Sequence, residues 1–111
     1  MVKRVPPDLL PGTLDMLVLR ILAREPMHGY GIAQRLKALS DEILVVGESS
    51  LYPALQRLLL NDYVRAEWAP SENNRRARYY TLTPNGRKHL QAEKREFARL
   101  IVAIQRVLET A

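Results

Sequence analysis

The stretch SSLYPALQRLLLN, residues 49–61, predicts the helix that decides the fold. A serine caps its start, either Ser49 or Ser50, and this places Pro53 in the first turn, where a missing N–H costs little. The buried face consists of leucines at helical spacing: Leu51, Leu55, Leu58 and Leu59. The outward face comprises Ser49, Ser50, Tyr52, Pro53, Gln56, Arg57 and Leu60. The exposed start of this helix is therefore polar, aromatic and basic.

Two shorter helices are predicted upstream. After a proline-rich arm, residues 1–12, Thr13 is a good N-cap for a first helix over about residues 14–24. Apolar residues cover most of its circumference, which indicates that it is covered on two sides. A second helix begins at His28 and Gly29 and reaches about residue 39. Residues 42–47 form an apolar linker whose β-branched content allows a short extended piece.

A β-hairpin and a long helix complete the chain. Residues 63–68 and 77–83 are strand candidates, and the polar run 70–76 between them is rich in turn formers. Thr83 is placed as N-cap of a last helix, with Pro84 at its first position. The order is that of a winged helix-turn-helix, a mainly α fold with a small β-hairpin and one added helix. We divide it into a winged-helix domain with its arm, residues 1–86, and a dimerisation helix, residues 87–111.

Dimerisation is predicted from the apolar pattern of the last helix. Its core positions follow the alternating spacing of a coiled coil, apart from Lys94, and the pattern includes Leu90, Phe97, Leu100, Ile101, Ile104 and Leu108. The first helix is more apolar than one core-facing stripe needs. We therefore assign Leu14, Leu17 and Ile21 to the same interface between two copies of the chain.

In a helix-turn-helix, the start of the second helix of the motif enters the DNA major groove. Serine hydroxyls suit phosphate oxygens, and Gln or Arg can pair with base edges. The candidates for DNA contact are Ser49, Ser50, Tyr52, Gln56 and Arg57. The alternative is that the two serines only cap the helix and that Tyr52 packs on the surface.

The hairpin tip gives a second signal. Residues 73–92 carry five cations and no Asp or Glu: Arg75, Arg76, Arg78, Arg87 and Lys88. A basic wing beside a recognition helix can reach the phosphate backbone or the minor groove. We count Asn74, Arg75, Arg76 and Arg78 as DNA-contact candidates. The alternative is a solvated, charged face.

Composition narrows the function classes. The net charge of +5 suits a polyanionic partner, and the absence of cysteine excludes disulfides, thiolate metal sites and cysteine nucleophiles. Two histidines and scattered carboxylates show neither a triad spacing nor a metal-ligand cluster, so we predict no enzyme, no metal and no cofactor. The longest apolar stretch, residues 14–23, is too short to span a bilayer, and the start lacks a signal-peptide pattern. We expect a cytoplasmic protein.

The exposed aromatic residues admit a second interpretation. Trp68, Tyr79 and Tyr80 suggest a stacking platform for single strands or an aromatic drug pocket. Alternation, however, places Tyr79 and Tyr80 on opposite faces of their strand, so one of them belongs to the core. We favour the structural interpretation, in which Trp68 covers the base of the wing.

Four segments together resemble the PadR-type transcriptional regulators, in their short form with a single C-terminal helix. They are GTLD at 12–15, MHGYGI at 27–32, SLYPALQRL at 50–58 and RARYYTLTPNG at 76–86. The resemblance implies a dimeric winged-helix DNA-binding protein, usually a repressor, with Tyr52 and Pro53 in the major groove and Arg78 near phosphate. It also makes Tyr30 a backbone contact. The chain departs from the family pattern at Leu59, where a glutamate is common, and at Asp62, where a glycine is common; we expect Asn61 or Asp62 to adopt the left-handed conformation instead.

The function predicted from these features is a sequence-specific regulator that binds double-stranded DNA, at a palindromic operator, as a homodimer. We expect repression, relieved by a small effector at the dimer interface. Two alternatives remain open at this point, a winged helix that binds an acidic protein partner and a non-specific DNA binder.

Overall fold

The computed structural model describes residues 12–111, so most of the predicted arm lies outside the described residues. Within them the elements follow in the order α1 (Thr13–Leu22), β1 (Met27–His28), α2 (Gly29–Leu39), α3 (Glu48–Leu60), β2 (Val64–Pro70), β3 (Arg76–Leu82) and α4 (Pro84–Thr110). This order confirms the predicted winged helix-turn-helix with one added helix. The extended piece expected at 42–47 is limited to a bridge at Val45.

The sheet has three strands in the order β1-β3-β2, one more than predicted. The hairpin of β2 and β3 is antiparallel, and β1 adds to the other edge of β3 by pairing Met27 with Tyr80 and His28 with Tyr79. The sequence pattern placed Met27 and His28 at the entry to α2. A strand of two residues carries no alternation by which it could be found.

Helix starts differ from the predictions where the backbone, rather than a side chain, makes the cap. The N-cap of α1 is Gly12 at φ +84°, not Thr13, because glycine adopts the left-handed conformation at little cost. The N-cap of α3 is Gly47, so Ser49 and Ser50 lie inside the first turn and cap nothing. Pro53 is then the sixth residue of α3 rather than part of its first turn, and the hydrogen bond to the carbonyl of Ser49 cannot form.

The predicted cap of α4 is confirmed. The Thr83 hydroxyl accepts a hydrogen bond from the Gly86 N–H at 2.9 Å and donates one to the Asp62 carbonyl at 2.6 Å. Asp62 has φ +58°, as expected for the residue that replaces a glycine. This junction joins the end of α3, the base of the hairpin and the start of α4, and it therefore sets the direction of the wing.

The core surrounds α1. Its residues Met16, Val18, Leu19, Ile21 and Leu22 are buried, and Leu14 and Leu17 are partly buried against the same cluster. Helices α2, α3 and α4 and strand β3 all contact α1. Elements of the same chain therefore cover most of the apolar surface of α1, which the sequence analysis had assigned partly to a second copy of the chain.

This burial corrects two dimerisation residues. Leu90 is 2% exposed and Ile21 is 7% exposed within the single chain, so both side chains belong to the protomer core. Leu90 falls in the first half of α4, which lies on α1, and it shares the heptad spacing only because the same helical face continues into the second half.

The second half of α4 carries exposed apolar side chains. Every residue from 102 to 111 is exposed. Of the predicted interface, Phe97 is partly buried against the core and Ile101 is half-buried, whereas Leu100, Ile104 and Leu108 are exposed. Val107 lies on the same stripe and is exposed too. An exposed apolar stripe of this kind is typical of an interaction surface.

Candidate nucleic-acid interface

The start of α3 is exposed as predicted. Ser49, Ser50, Tyr52, Pro53 and Gln56 all lie on its outward face. The Tyr52 ring is 47% exposed and borders the start of α2, where a Cβ on Gly29 would lie 3.5 Å from its Cε1. The ring is therefore both a surface group and a contact between α2 and α3.

Tyr30 follows Gly29 and is 72% exposed. The two tyrosines thus flank the junction between α2 and α3. Both rings are exposed surface groups beside the start of α3.

Arg57 differs from the other candidates on α3. Its Nε and Nη2 donate hydrogen bonds to the carboxylate of Asp15 in α1, at 3.0 and 2.8 Å. The hydrogen bond with Asp15 raises the pKa of Arg57, against a lowering by partial burial, and the charge of Asp15 adds to the rise. The structure thus gives Arg57 a partner within the chain, which the sequence did not indicate.

The two faces of the wing have different chemistry. Residues directly opposite in the hairpin share a face, and one face carries the pairs Val64 with Leu82, Ala66 with Tyr80, Trp68 with Arg78 and Pro70 with Arg76. Tyr80 is buried in the core, which confirms that one tyrosine of the pair is a core residue. Beyond Tyr80 this face leaves the core and carries Arg78, Trp68 and Arg76.

Cation–π contacts hold both arginines on that face. The Arg78 guanidinium lies 5.8 Å from the centre of the Tyr80 ring, and that of Arg76 lies 5.9 Å from the Trp68 ring. This arginine face is therefore the outer continuation of the sheet face that buries Val64 and Tyr80 in the core.

Trp68 was assigned a structural role from the sequence, but its place in the structure makes it a functional candidate. Its side chain is 58% exposed, so it does not cover the base of the wing. Tyr79 is no stacking platform either, because it is half-buried on the opposite face and its hydroxyl donates to the Pro70 carbonyl at 3.2 Å. The alternation that separated Tyr79 from Tyr80 also places Trp68 beside the arginines.

The tip of the wing spans residues 71–75, shorter than the predicted 70–76. The Ser71 N–H donates to the Arg75 carbonyl at 2.6 Å, and Asn74 takes φ +57°. Asn74 and Arg75 are exposed at the turn, and Arg87 and Lys88 are exposed at the start of α4. Apart from the half-buried Arg78, the cations of the basic run are therefore exposed.

The sequence model described as "Transcriptional regulator PadR-like family" matches residues 18–92, from α1 through the wing and into α4. The chain belongs to the PadR-like family. Membership makes it a transcriptional regulator with a DNA-binding winged-helix fold.

Relatives of this PadR-like chain are found among sequences and solved structures. It is 43% identical over 86 residues to an uncharacterised 37.1 kDa protein of a transposon from Streptomyces fradiae, covering 78% of this chain but 23% of that protein. A transcriptional regulator from Clostridium thermocellum aligns with a TM-score of 0.81 at 29% identity, covering 89% of this chain and 96% of the other. A PadR family transcriptional regulator from Eggerthella lenta aligns with a TM-score of 0.74 at 32% identity, covering 90% of this chain and 85% of the other.

Two cavities lie outside the candidate interface of the PadR-like fold. An open groove of about 520 Å³ between α1 and α2 is lined by Arg20, Ile21, Arg24, Glu25, Met27, Arg35 and Leu39. A smaller cavity of about 200 Å³ lies between the start of α1 and α4, with Met16, Glu93, Glu96, Phe97 and Leu100 in its wall. No three potential metal ligands cluster within residues 12–111, and no helix in that range is long and apolar enough to cross a membrane.

Proposed function

We propose that this PadR-like chain is a sequence-specific repressor that binds a palindromic operator as a homodimer. One observation carries the proposal: the polar start of α3 is exposed, and the wing carries Arg76 and Arg78 on a single face beyond the buried Tyr80. A duplex can then meet α3 in its major groove and the wing at the adjacent backbone.

The roles proposed for the residues follow from their chemistry. Ser49 and Ser50 lie in the first turn of α3, where hydroxyl groups and the positive end of the helix dipole suit phosphate oxygens. Gln56, one turn beyond Tyr52 and Pro53, can pair with a base edge. Tyr30 contacts the backbone beside them.

The wing supplies the charge in this proposal. Arg76 and Arg78, already oriented by Trp68 and Tyr80, bind phosphates or enter the minor groove, and Asn74 and Arg75 extend the contact at the tip. Phosphate contacts dominate affinity and make it strongly salt-dependent.

We assign dimerisation to the second half of α4. Its exposed side chains are Leu100, Ile104, Val107 and Leu108, and a lone helix end is marginal in water without a partner. The association segment is therefore shorter than the 87–111 division, because Leu90 and the turns around it belong to the protomer. A two-fold dimer presents two copies of α3, which accounts for a palindromic operator.

Release by an effector is proposed at this interface. The cavity between α1 and α4 is open to Leu100, the first exposed residue of the α4 stripe. A ligand there would change how α4 lies on α1, and with it the separation of the two α3 helices.

Selection from a random duplex library tests the proposal without a known operator. The retained duplexes should share a palindromic motif whose half-sites lie about 10 base pairs apart or a multiple of that. Retention without a shared motif would identify a non-specific binder. No retention above the matrix background would favour a protein partner for the wing instead.

A further inference from the structure

The ion pair between Arg57 and Asp15 joins two elements that are 42 residues apart in the chain. Asp15 lies in the first turn of α1, and Arg57 lies in the last turn of α3. Each charge therefore sits at the helix end whose dipole favours it, since the N-terminus of a helix attracts an anion and the C-terminus a cation. The pair locks the start of α1 to the end of α3.

The contact between Arg57 and Asp15 is bidentate. Nε and Nη2 of Arg57 bind the two carboxylate oxygens of Asp15 separately, at 3.0 and 2.8 Å. Two parallel bonds fix orientation as well as distance. The Asp15 side chain is 17% exposed, so the carboxylate is largely screened from water and holds the guanidinium against α1.

The same contact alters what Arg57 offers to DNA. Its charge is neutralised by Asp15 at contact distance, and the pair as a whole presents no net charge to a phosphate. Two of its five N–H donors are already bonded. Arg57 is thus poorly suited to the base-reading role that its place on the helix suggested.

The pair acts at the opposite end of α3 from Ser49 and Ser50, the first of the proposed DNA contacts. Arg57 is seven residues beyond Ser50, a distance of about 10 Å along the helix axis at 1.5 Å per residue. The other end of α3 is steadied by Tyr52 against Gly29 of α2. A shift at Arg57 therefore turns the start of α3 about its contact with α2.

We infer that Arg57 is a positioning residue, which sets the angle of α3 to α1 through Asp15 and does not itself contact DNA. This inference rests on the proposed DNA-binding function. Because α1 also lies against α4, the pair links the orientation of the recognition helix to the helix that carries the dimer surface.

Asp15→Asn gives a test in which the two roles predict opposite signs. If Arg57 positions α3, the variant weakens binding to the selected duplex by up to about fivefold, the upper end of the range for one ion pair at the surface. If Arg57 binds phosphate, the same variant frees the guanidinium and removes an anion, so binding tightens. The matched control is Glu48→Gln, which removes one negative charge from the first turn of α3, where no ion pair is formed among residues 12–111, and should bind at least as tightly as wild type.

Arg57→Gln and Arg57→Lys complete the test by fluorescence polarisation at several salt concentrations. Both should weaken binding as Asp15→Asn does and leave the salt slope unchanged, whereas a lost phosphate contact lowers the slope by about one unit. The Asp15→Asn, Arg57→Gln double variant should bind no more weakly than either single variant. Additive losses, a reduced slope, or wild-type binding by Arg57→Lys would each overturn the inference.

A double-mutant cycle measured by urea unfolding does not depend on DNA. It uses wild type, Asp15→Asn, Arg57→Gln and the double variant. It should show coupling between positions 15 and 57, and independent effects would remove the ion pair on which the inference stands. If wild type selects no duplex, the proposed function fails. If wild type selects a duplex and Asp15→Asn binds it more tightly, only the positioning role fails.

Discussion

At the scale of single residues, Gly86 has the least room for a side chain in the junction between α3, the hairpin and α4. A Cβ at this position would overlap the carbonyl oxygen of Tyr63 and meet Leu82 Cδ1 at 2.8 Å. Gly86→Ala should therefore lower the free energy of unfolding by about 2–3 kcal/mol, because backbone cannot yield as a flexible side chain can. Urea denaturation followed by circular dichroism measures the change.

Gly29→Ala is the matched control for this prediction. Its added Cβ would meet the Tyr52 ring at 3.5 Å, an ordinary contact, and Gly29 is also helical. Its stability should stay within about 1 kcal/mol of wild type. Equal losses in the two variants would mean that the junction is not rigid.

Trp68 provides a second residue-scale prediction, because it is the chain's single tryptophan. Its ring lies on the arginine face of the wing and is largely exposed, so DNA that reaches Arg76 must change its surroundings. Its fluorescence emission should shift or be quenched on titration with the selected duplex, with the same midpoint as polarisation. Unchanged emission at saturating DNA would place the wing away from the duplex.

At the scale of elements, periodicity explains what the sequence could predict. Helices α2, α3 and α4 and the hairpin were found because apolar spacing of 3.6 or 2 extends over several turns or residues. Strand β1 has two residues and was missed, and two helix starts shifted because Gly12 and Gly47 cap them through the backbone. Neither a two-residue strand nor a cap made by a glycine backbone produces a side-chain pattern that sequence analysis could detect.

The partner of an apolar or charged side chain is harder to predict than its face. The heptad pattern in α4 is the same for Leu90, which the protomer buries, and for Leu108, which it leaves exposed. Arg57 was correctly placed on the outward face of α3, but its contact with Asp15 depends on how α1 crosses α3. Packing between elements decides both cases.

The arginines of the wing should account for part of the salt dependence of DNA binding. Alanine at Arg75, Arg76 and Arg78 should weaken DNA binding and lower the salt slope by up to about three units, one for each lost phosphate contact. The matched control is alanine at Arg20, Arg24 and Arg35, which removes the same charge from the groove between α1 and α2. The groove variant should keep the wild-type slope, and equal slopes in the two triple variants would contradict a direct role for the wing.

At the scale of the whole molecule, two-fold symmetry depends on the exposed stripe of α4. Ile104→Asp places a charge in this stripe and should convert a dimer to a monomer in sedimentation velocity, because an unpaired charge in an apolar interface is costly. Gln105→Asp, at the next exposed position, introduces the same side chain outside the stripe and should leave the dimer intact. If Ile104→Asp remains a dimer, the dimer interface does not include this stripe.

The central claim is that α3 and the wing together read a DNA sequence. It is tested most directly by the ratio of dissociation constants for a scrambled duplex and for the selected duplex, of equal length and composition, measured by polarisation at physiological salt. We predict that the selected duplex binds at least about 10³-fold more tightly, the lower end of the range for specific regulators. Affinities that agree within a few fold would contradict sequence-specific recognition.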